Sequence, residues 1–176
     1  MMGHFIIDLA RCTGCQACSI ACKDRAGLPD ELDWLRVEVN EKGVYPAPTL
    51  YYRVMHCFHC ASPPCVGVCP SGGLARGEDG WVQIDADSCS ACESCIEACP
   101  YSAIVMHPEG YVSKCDGCAD EILDGWDPTC VRACPMRALA YGPAESVLTD
   151  KRAADADFEN HGIGPAVLFL RRERTL

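Results

Sequence analysis

No stretch of this sequence is apolar for the roughly 20 residues that a bilayer-spanning helix needs. The longest apolar run near the C-terminus is only Ala166 to Leu170. Between Met1 and Arg11 only Phe5-Ile6-Ile7 is apolar before Asp8 interrupts, so the pattern of an export signal is missing. Missing too are a Ser/His/Asp arrangement, a glycine loop of the kind that cradles phosphate, and a flavin fingerprint. Positive charge is scarce: 15 Lys and Arg face 25 Asp and Glu, a formal net charge of -10, which argues against nucleic acid as a partner. Together these absences predict a soluble, cytoplasmic chain with no direct membrane insertion and no catalytic site of its own. The one basic cluster, Arg171-Arg172-Glu173-Arg174, is expected to be a solvated terminus, with docking on an acidic partner as the alternative.

What the chain has in excess is cysteine, 16 in 176 residues, in four groups of four. They are Cys12, Cys15, Cys18, Cys22; Cys57, Cys60, Cys65, Cys69; Cys89, Cys92, Cys95, Cys99; and Cys115, Cys118, Cys130, Cys134. Without an export signal these are expected to be reduced thiolates rather than disulfides. Soft thiolates select zinc, copper(I) or iron–sulfur clusters. The first and third groups read C-x2-C-x2-C-x3-C, in which three thiolates wrap the corner of a cube and the fourth is passed to a neighbouring cluster. Structural zinc instead uses two short hairpins separated by a spacer. The fourth group, C-x2-C-x11-C-x3-C, is compatible by itself with a zinc ribbon, but its Cys134-Pro135 exit matches the other groups. The expectation is therefore four 4Fe-4S clusters with every iron held by cysteine, which leaves no iron open to substrate. A structural zinc protein is the alternative. Because metal binding is folding free energy, the metal-free chain should be largely unfolded.

The sequence repeats. Ile7-Asp8 precedes Cys12 by the same distance as Ile84-Asp85 precedes Cys89, and Cys-Pro-x-x-small-aliphatic follows Cys69, Cys99 and Cys134. After two of these exits, hairpins are expected around Gly77–Gly80 and His107–Gly110. One or two helical turns are expected near Ser19–Ala21 and Ser94–Ala98, closed by proline. An insertion over residues 23–56 should pair Trp34–Val39 with Thr49–Val54 as its own β-layer. The fold class is α+β: two ferredoxin-like dicluster modules, small and loop-rich, with short hairpins and helical turns. Residues 1–142 form the double domain, with an inner module at 57–112 and an outer one from 1–22 plus 113–142. Residues 143–176 are an extension that packs either on the core or on a partner, with Pro165–Leu170 extended. His56 and His59 are expected to hydrogen-bond near a cluster rather than ligate it, because every group already supplies four thiolates. Trp34, Trp81 and Trp126 are expected to pack, and Lys23 to be solvated.

These four groups, with Pro63-Pro64 ahead of Cys65, resemble the four-cluster iron–sulfur subunits of the dimethyl sulfoxide reductase type. The resemblance implies that the first group shares its ligands with the fourth and the second with the third. One cluster would take Cys12, Cys15, Cys18 and Cys134; another Cys115, Cys118, Cys130 and Cys22; a third Cys57, Cys60, Cys65 and Cys99; the last Cys89, Cys92, Cys95 and Cys69. The spacing alone supports crossing without selecting these pairs. By the same resemblance the chain is an electron-transfer subunit serving a catalytic molybdenum or tungsten oxidoreductase subunit. It lacks the family's long insertion between the third and fourth groups and a C-terminal membrane-contact extension. Its compact form is similar to the polyferredoxin subunit of a tungsten aldehyde oxidoreductase, the favoured partner. A hydrogenase or formate dehydrogenase ferredoxin subunit and a free-standing polyferredoxin are the alternatives. A flavin subunit and self-association that lengthens the cluster chain are further implied possibilities.

Overall fold

The structure is a computed structural model that describes residues 3–144 and 152–172. Strand β1 (His4–Asp8) leads into the first cysteine group, and helix α1 (Ala17–Ala26) leaves it. Strands β2 (Arg36–Lys42) and β3 (Thr49–Met55) then carry the chain to the second group as an antiparallel pair, Val37 opposite Val54. Helix α2 (Pro64–Gly67) is followed by the pair β4 (Leu74–Arg76) and β5 (Val82–Ile84), which reaches the third group. Helix α3 (Ser94–Ala98) is followed by β6 (Ile104–Met106) and β7 (Val112–Lys114), which reach the fourth. Helices α4 (Ala119–Leu123) and α5 (Thr129–Arg132) bring the chain to β8 (Leu139–Gly142). Strand β8 then pairs antiparallel with β1, so the last group is joined back to the first.

Four strand pairs thus link four cysteine groups in a closed cycle. The internal repeat is visible in register: Ile7 faces Leu139 and Ile84 faces Leu74. The two expected hairpin turns are hydrogen-bonded alike. Gly77 N–H donates to the Trp81 carbonyl at 2.8 Å, and His107 N–H donates to the Tyr111 carbonyl at 2.7 Å. Gly80 and Gly110 close these turns at φ 95° and 88°, a region that other residues adopt only at a cost.

Helix α1 is longer than its sequence counterpart suggests because the Cys-Pro exit is absent after Cys22. With Lys23 in place of proline the backbone keeps its N–H donors, and the helix runs on to a left-handed cap at Gly27, φ 59°. After Cys99 the proline is present, and α3 stops at Ala98.

The C-terminal segment packs on the core. Strands β9 (Arg152–Ala154) and β10 (Val167–Arg172) complete a sheet of order β8-β1-β10-β9, with β10 parallel to β1 and Phe5 opposite Val167. Asp155, whose carboxylate is buried, takes Arg53 at 2.5 Å and also pairs with Arg171. Asp157 takes Lys42 at 2.5 Å and Arg171 at 2.8 Å. Arg171 is therefore tied into the sheet rather than solvated; Glu173 and Arg174 lie outside the described residues. One apolar core joins this sheet to the insertion through Phe5, Ile7, Val54, Phe58 and Phe169, and a smaller one fills the space between the two hairpins with Leu74, Val82, Ile104 and Val112. Among the described residues no helix is long and apolar enough to cross a membrane.

Candidate metal centres

The four cysteine loops share one backbone device. The residue before the second cysteine is left-handed in every group: Gly14 at φ 69°, His59 at 44°, Ala91 at 52° and Gly117 at 76°. This turns the loop back so that both flanking sulfurs face the same side. In the fourth group the turn also lets Gly117 N–H donate to Cys115 Sγ at 3.3 Å. Gln16 and Glu93 are left-handed as well and start α1 and α3, which puts Cys18 and Cys95 in the first turns. At the three Cys-Pro exits, Gly72, Ser102 and Arg137 are left-handed, and Ala138 N–H donates to Cys134 Sγ at 3.3 Å.

The cysteines come together in four sets that mix groups. Cys12, Cys15 and Cys18 share a small cavity with Cys134. Cys57, Cys60 and Cys65 share one with Cys99, and Cys89, Cys92 and Cys95 share one with Cys69. Cys22, Cys115, Cys118 and Cys130 form the remaining set, close enough for their charges to act on one another. Among the described residues no three His, Cys, Asp or Glu side chains converge tightly enough to hold a single metal ion. Three of the sets line cavities of their own, the arrangement that a cubane core held at its corners needs. Cys18 and Cys22 ride on one helix yet belong to different sets, so α1 links two centres.

Electrostatics separates buried sulfurs from an exposed one. Burial, followed by neighbouring cysteines, pushes the Cys18 and Cys65 thiols up to about 11 and the Cys60 thiol up to about 12. In the Cys22 set, Cys22 rises to about 12, and Cys115 and Cys130 rise well above the ordinary thiol value. Such groups hold their protons at neutral pH until a cationic core displaces them. Cys92 is exposed, and the Ser94 N–H with the Ser94 and Ser90 hydroxyls holds it below the ordinary value.

Both histidines bind backbone. His56 Nδ1–H donates to the Cys57 carbonyl at 2.8 Å, and burial lowers its pKa to about 4. His59 Nδ1 accepts from Val82 N–H at 3.1 Å, which leaves Nε2–H buried without a partner among the described residues. Trp81 is buried over Gly117 and edge-on to His59, and Trp34 donates to the Ser113 hydroxyl at 2.5 Å. Trp126 does not pack: it is 62% exposed, with only Arg132 over its ring. Lys23 is bound rather than free, donating to the Asp30 carbonyl and pairing with Asp33 at 3.1 Å. Two residues near the sulfurs had no signal in the sequence. Tyr101 lines the Cys57 cavity, and Lys114, 4% exposed, precedes Cys115.

Four sets of four sulfurs on doubled, pseudo-twofold strand-loop units define a polyferredoxin-type iron–sulfur protein. Models of the 4Fe-4S dicluster domain match residues 48–144 and 11–73. The chain belongs to this dicluster family, in its branch of dimethyl sulfoxide reductase-type iron–sulfur subunits. It is 41% identical over 152 residues to the B subunit of the anaerobic dimethyl sulfoxide reductase of Escherichia coli, covering 81% of this sequence and 74% of that one. It is 40% identical over 141 residues to the B subunit of the polysulfide reductase of Wolinella succinogenes, covering 78% and 74%. It is 37% identical over 139 residues to the thiosulfate reductase electron transfer subunit of Salmonella typhi, covering 77% and 72%. Two dicluster domains amount to four 4Fe-4S clusters, which sixteen cysteines fit in number at four to each. The protein is an iron–sulfur electron-transfer subunit, not catalytic alone.

Proposed function

We propose that each of the four cysteine sets ligates one 4Fe-4S cluster, and that the clusters relay single electrons between a catalytic oxidoreductase subunit and a second redox partner. The observation that carries this reading is the order of the sets. Cys57 lies near enough to Cys115 to act on its charge, and Cys18 acts likewise on Cys130. Cys65 and Cys95 share the smaller apolar core, so the order is the Cys89 set, the Cys57 set, the Cys115 set and the Cys12 set. The two inner sets are buried apart from one half-buried cysteine each, whereas each end set has an exposed one, Cys92 or Cys15. A path insulated in the middle and open at both ends suits transfer between two docked partners. The cluster cores supply the redox couple when bound; the chain's residues hold, space and shield them.

The catalytic partner we favour acts on dimethyl sulfoxide, polysulfide or thiosulfate, by likeness to the relatives above, and carries molybdenum by the family resemblance. The tungsten aldehyde enzyme and the flavin subunit find no support among these relatives. The cytoplasm, which keeps thiols reduced, is the location we propose.

Anaerobic isolation of the full chain with its genomic neighbours tests this. About sixteen iron and sixteen sulfide per chain are expected from four cubane cores, in a complex containing a catalytic subunit. A 19.1 kDa species that reduces acceptors by itself would make the protein a free carrier. For the ligand sets, Cys22→Ser and Cys130→Ser should alter one and the same electron paramagnetic resonance signal, and Cys18→Ser a different one. Identical effects of Cys18→Ser and Cys22→Ser would sink the assignment.

A further inference from the structure

Lys114 is a buried ammonium that no carboxylate answers among the described residues. At the end of β7 it is 4% exposed, and its Nζ donates to the Val82 carbonyl and, at 3.0 Å, to the Cys115 carbonyl. Among the described residues no carboxylate pairs with it, in contrast to Arg25, which meets Asp116, Asp120 and Glu121. A buried cation without a counter-charge is costly, so its persistence calls for a negative charge nearby. Val82, its hydrogen-bond partner, lines the cavity of Cys57, Cys60, Cys65 and Cys99. Cys115, its other partner, belongs to the adjoining inner set. Lys114 thus lies at the seam of the two inner centres, beside the neutral His59 ring. The Cys65 thiolate also feels its charge, which favours ionisation there.

Resting on the reading that these sets hold 4Fe-4S clusters, we propose that Lys114 is the counter-ion of the inner pair and raises the reduction potential of the cluster held by Cys57, Cys60, Cys65 and Cys99. Four thiolates around a dipositive core leave an anionic centre, and one added electron makes it more negative. A fixed cation therefore favours the reduced form. The residue positions an energy level rather than touching a substrate, and it makes the middle of the path easier to enter.

The test is a redox titration of the holoprotein followed by electron paramagnetic resonance, with iron counted on the same sample. Lys114→Met keeps the aliphatic stem and removes the charge; Lys114→Arg keeps the charge. In Lys114→Met, one of the four midpoints should fall by at least a tenfold change in the reduced-to-oxidised ratio at fixed potential, which is 59 mV for a one-electron couple. Lys114→Arg should restore it. If Lys114→Met binds fewer than four clusters, Lys114→Gln, which still donates a hydrogen bond, takes its place in the same comparison. Four clusters with four unmoved midpoints would overturn the proposal, as would equal shifts in the Met and Arg variants, which would mark a packing role. A wild-type protein without four clusters would instead overturn the functional reading beneath it.

Discussion

Gly117 and Gly14 show how little room the cysteine loops leave. Both are left-handed, and a Cβ on either would overlap an aromatic ring, Trp81 above Gly117 and Tyr52 above Gly14. Left-handed strain and overpacking add, so Gly117→Ala should cost about 2–4 kcal/mol. The damage should be local. We expect the variant to bind three clusters instead of four, read as iron per chain, because Gly117 lies within the Cys115–Cys118 loop. An unchanged iron count and melting temperature would contradict this account. The cysteines were legible in the sequence, but the left-handed glycines and the rings above them were not, since Tyr52 comes from β3 and Trp81 from the turn ahead of β5. Trp126 shows the opposite error: indole size suggests burial, yet its loop leaves it exposed. His59 was legible as a polar neighbour of a cluster, while Lys114, one of several scattered basic residues in sequence, shows its isolation only once β5 and β7 are placed.

Among the elements, the C-terminal end of α1 is clamped by an arginine. Arg25 in its last turn reaches Asp116 at 2.8 Å and pairs with Asp120 and Glu121 of α4, so it clamps the helix that carries Cys22 against the loop that carries Cys115 and Cys118. Arg25→Ala should destabilise the fold by about 1–3 kcal/mol, more than an exposed pair would, because the guanidinium is largely covered. The same clamp gives an acid limit. Burial opposes ionisation of Glu121, but the Thr129 hydroxyl, Arg132 and Arg25 outweigh it and hold its carboxyl below the ordinary value of 4.5. A depressed folded pKa contributes stability above the unfolded value and loses it as pH falls through the folded one. The wild type should therefore lose melting temperature below about pH 4.5, and Arg25→Ala should lose less over that range. Identical acid slopes in the two proteins would count against the clamp. At this scale the hairpins and the β2–β3 layer were readable because turn residues and β-rich runs are local signals. The parallel pairing of β10 with β1 was not, because partners 162 residues apart in sequence, Phe5 and Val167, leave no local trace.

For the molecule as a whole, the cycle of strand pairs makes the clusters part of the fold. The strands are mostly three to seven residues long, and such isolated pairs are marginal in water. Beside the two apolar cores, the set of sulfurs on each loop brings them together, drawn from different cysteine groups. Loss of one cluster should therefore loosen two loops at once. Exposure decides the order of loss. Cys15 and Cys92 are open to solvent in the end sets, whereas the inner sets are covered by the strand pairs and by Tyr101, Trp81 and Lys114. A chelator or oxidant should then remove iron in two phases, about half quickly and half slowly, with far-ultraviolet circular dichroism following mainly the slow phase. Burial pushes the Cys65 and Cys118 thiols up to about 11 and the Cys60 thiol up to about 12, so these sulfurs would take up protons as their iron leaves, and the slow phase should quicken as pH falls. Single-phase loss, or a fold that outlasts all its iron, would show instead that the strand cycle stands without its clusters.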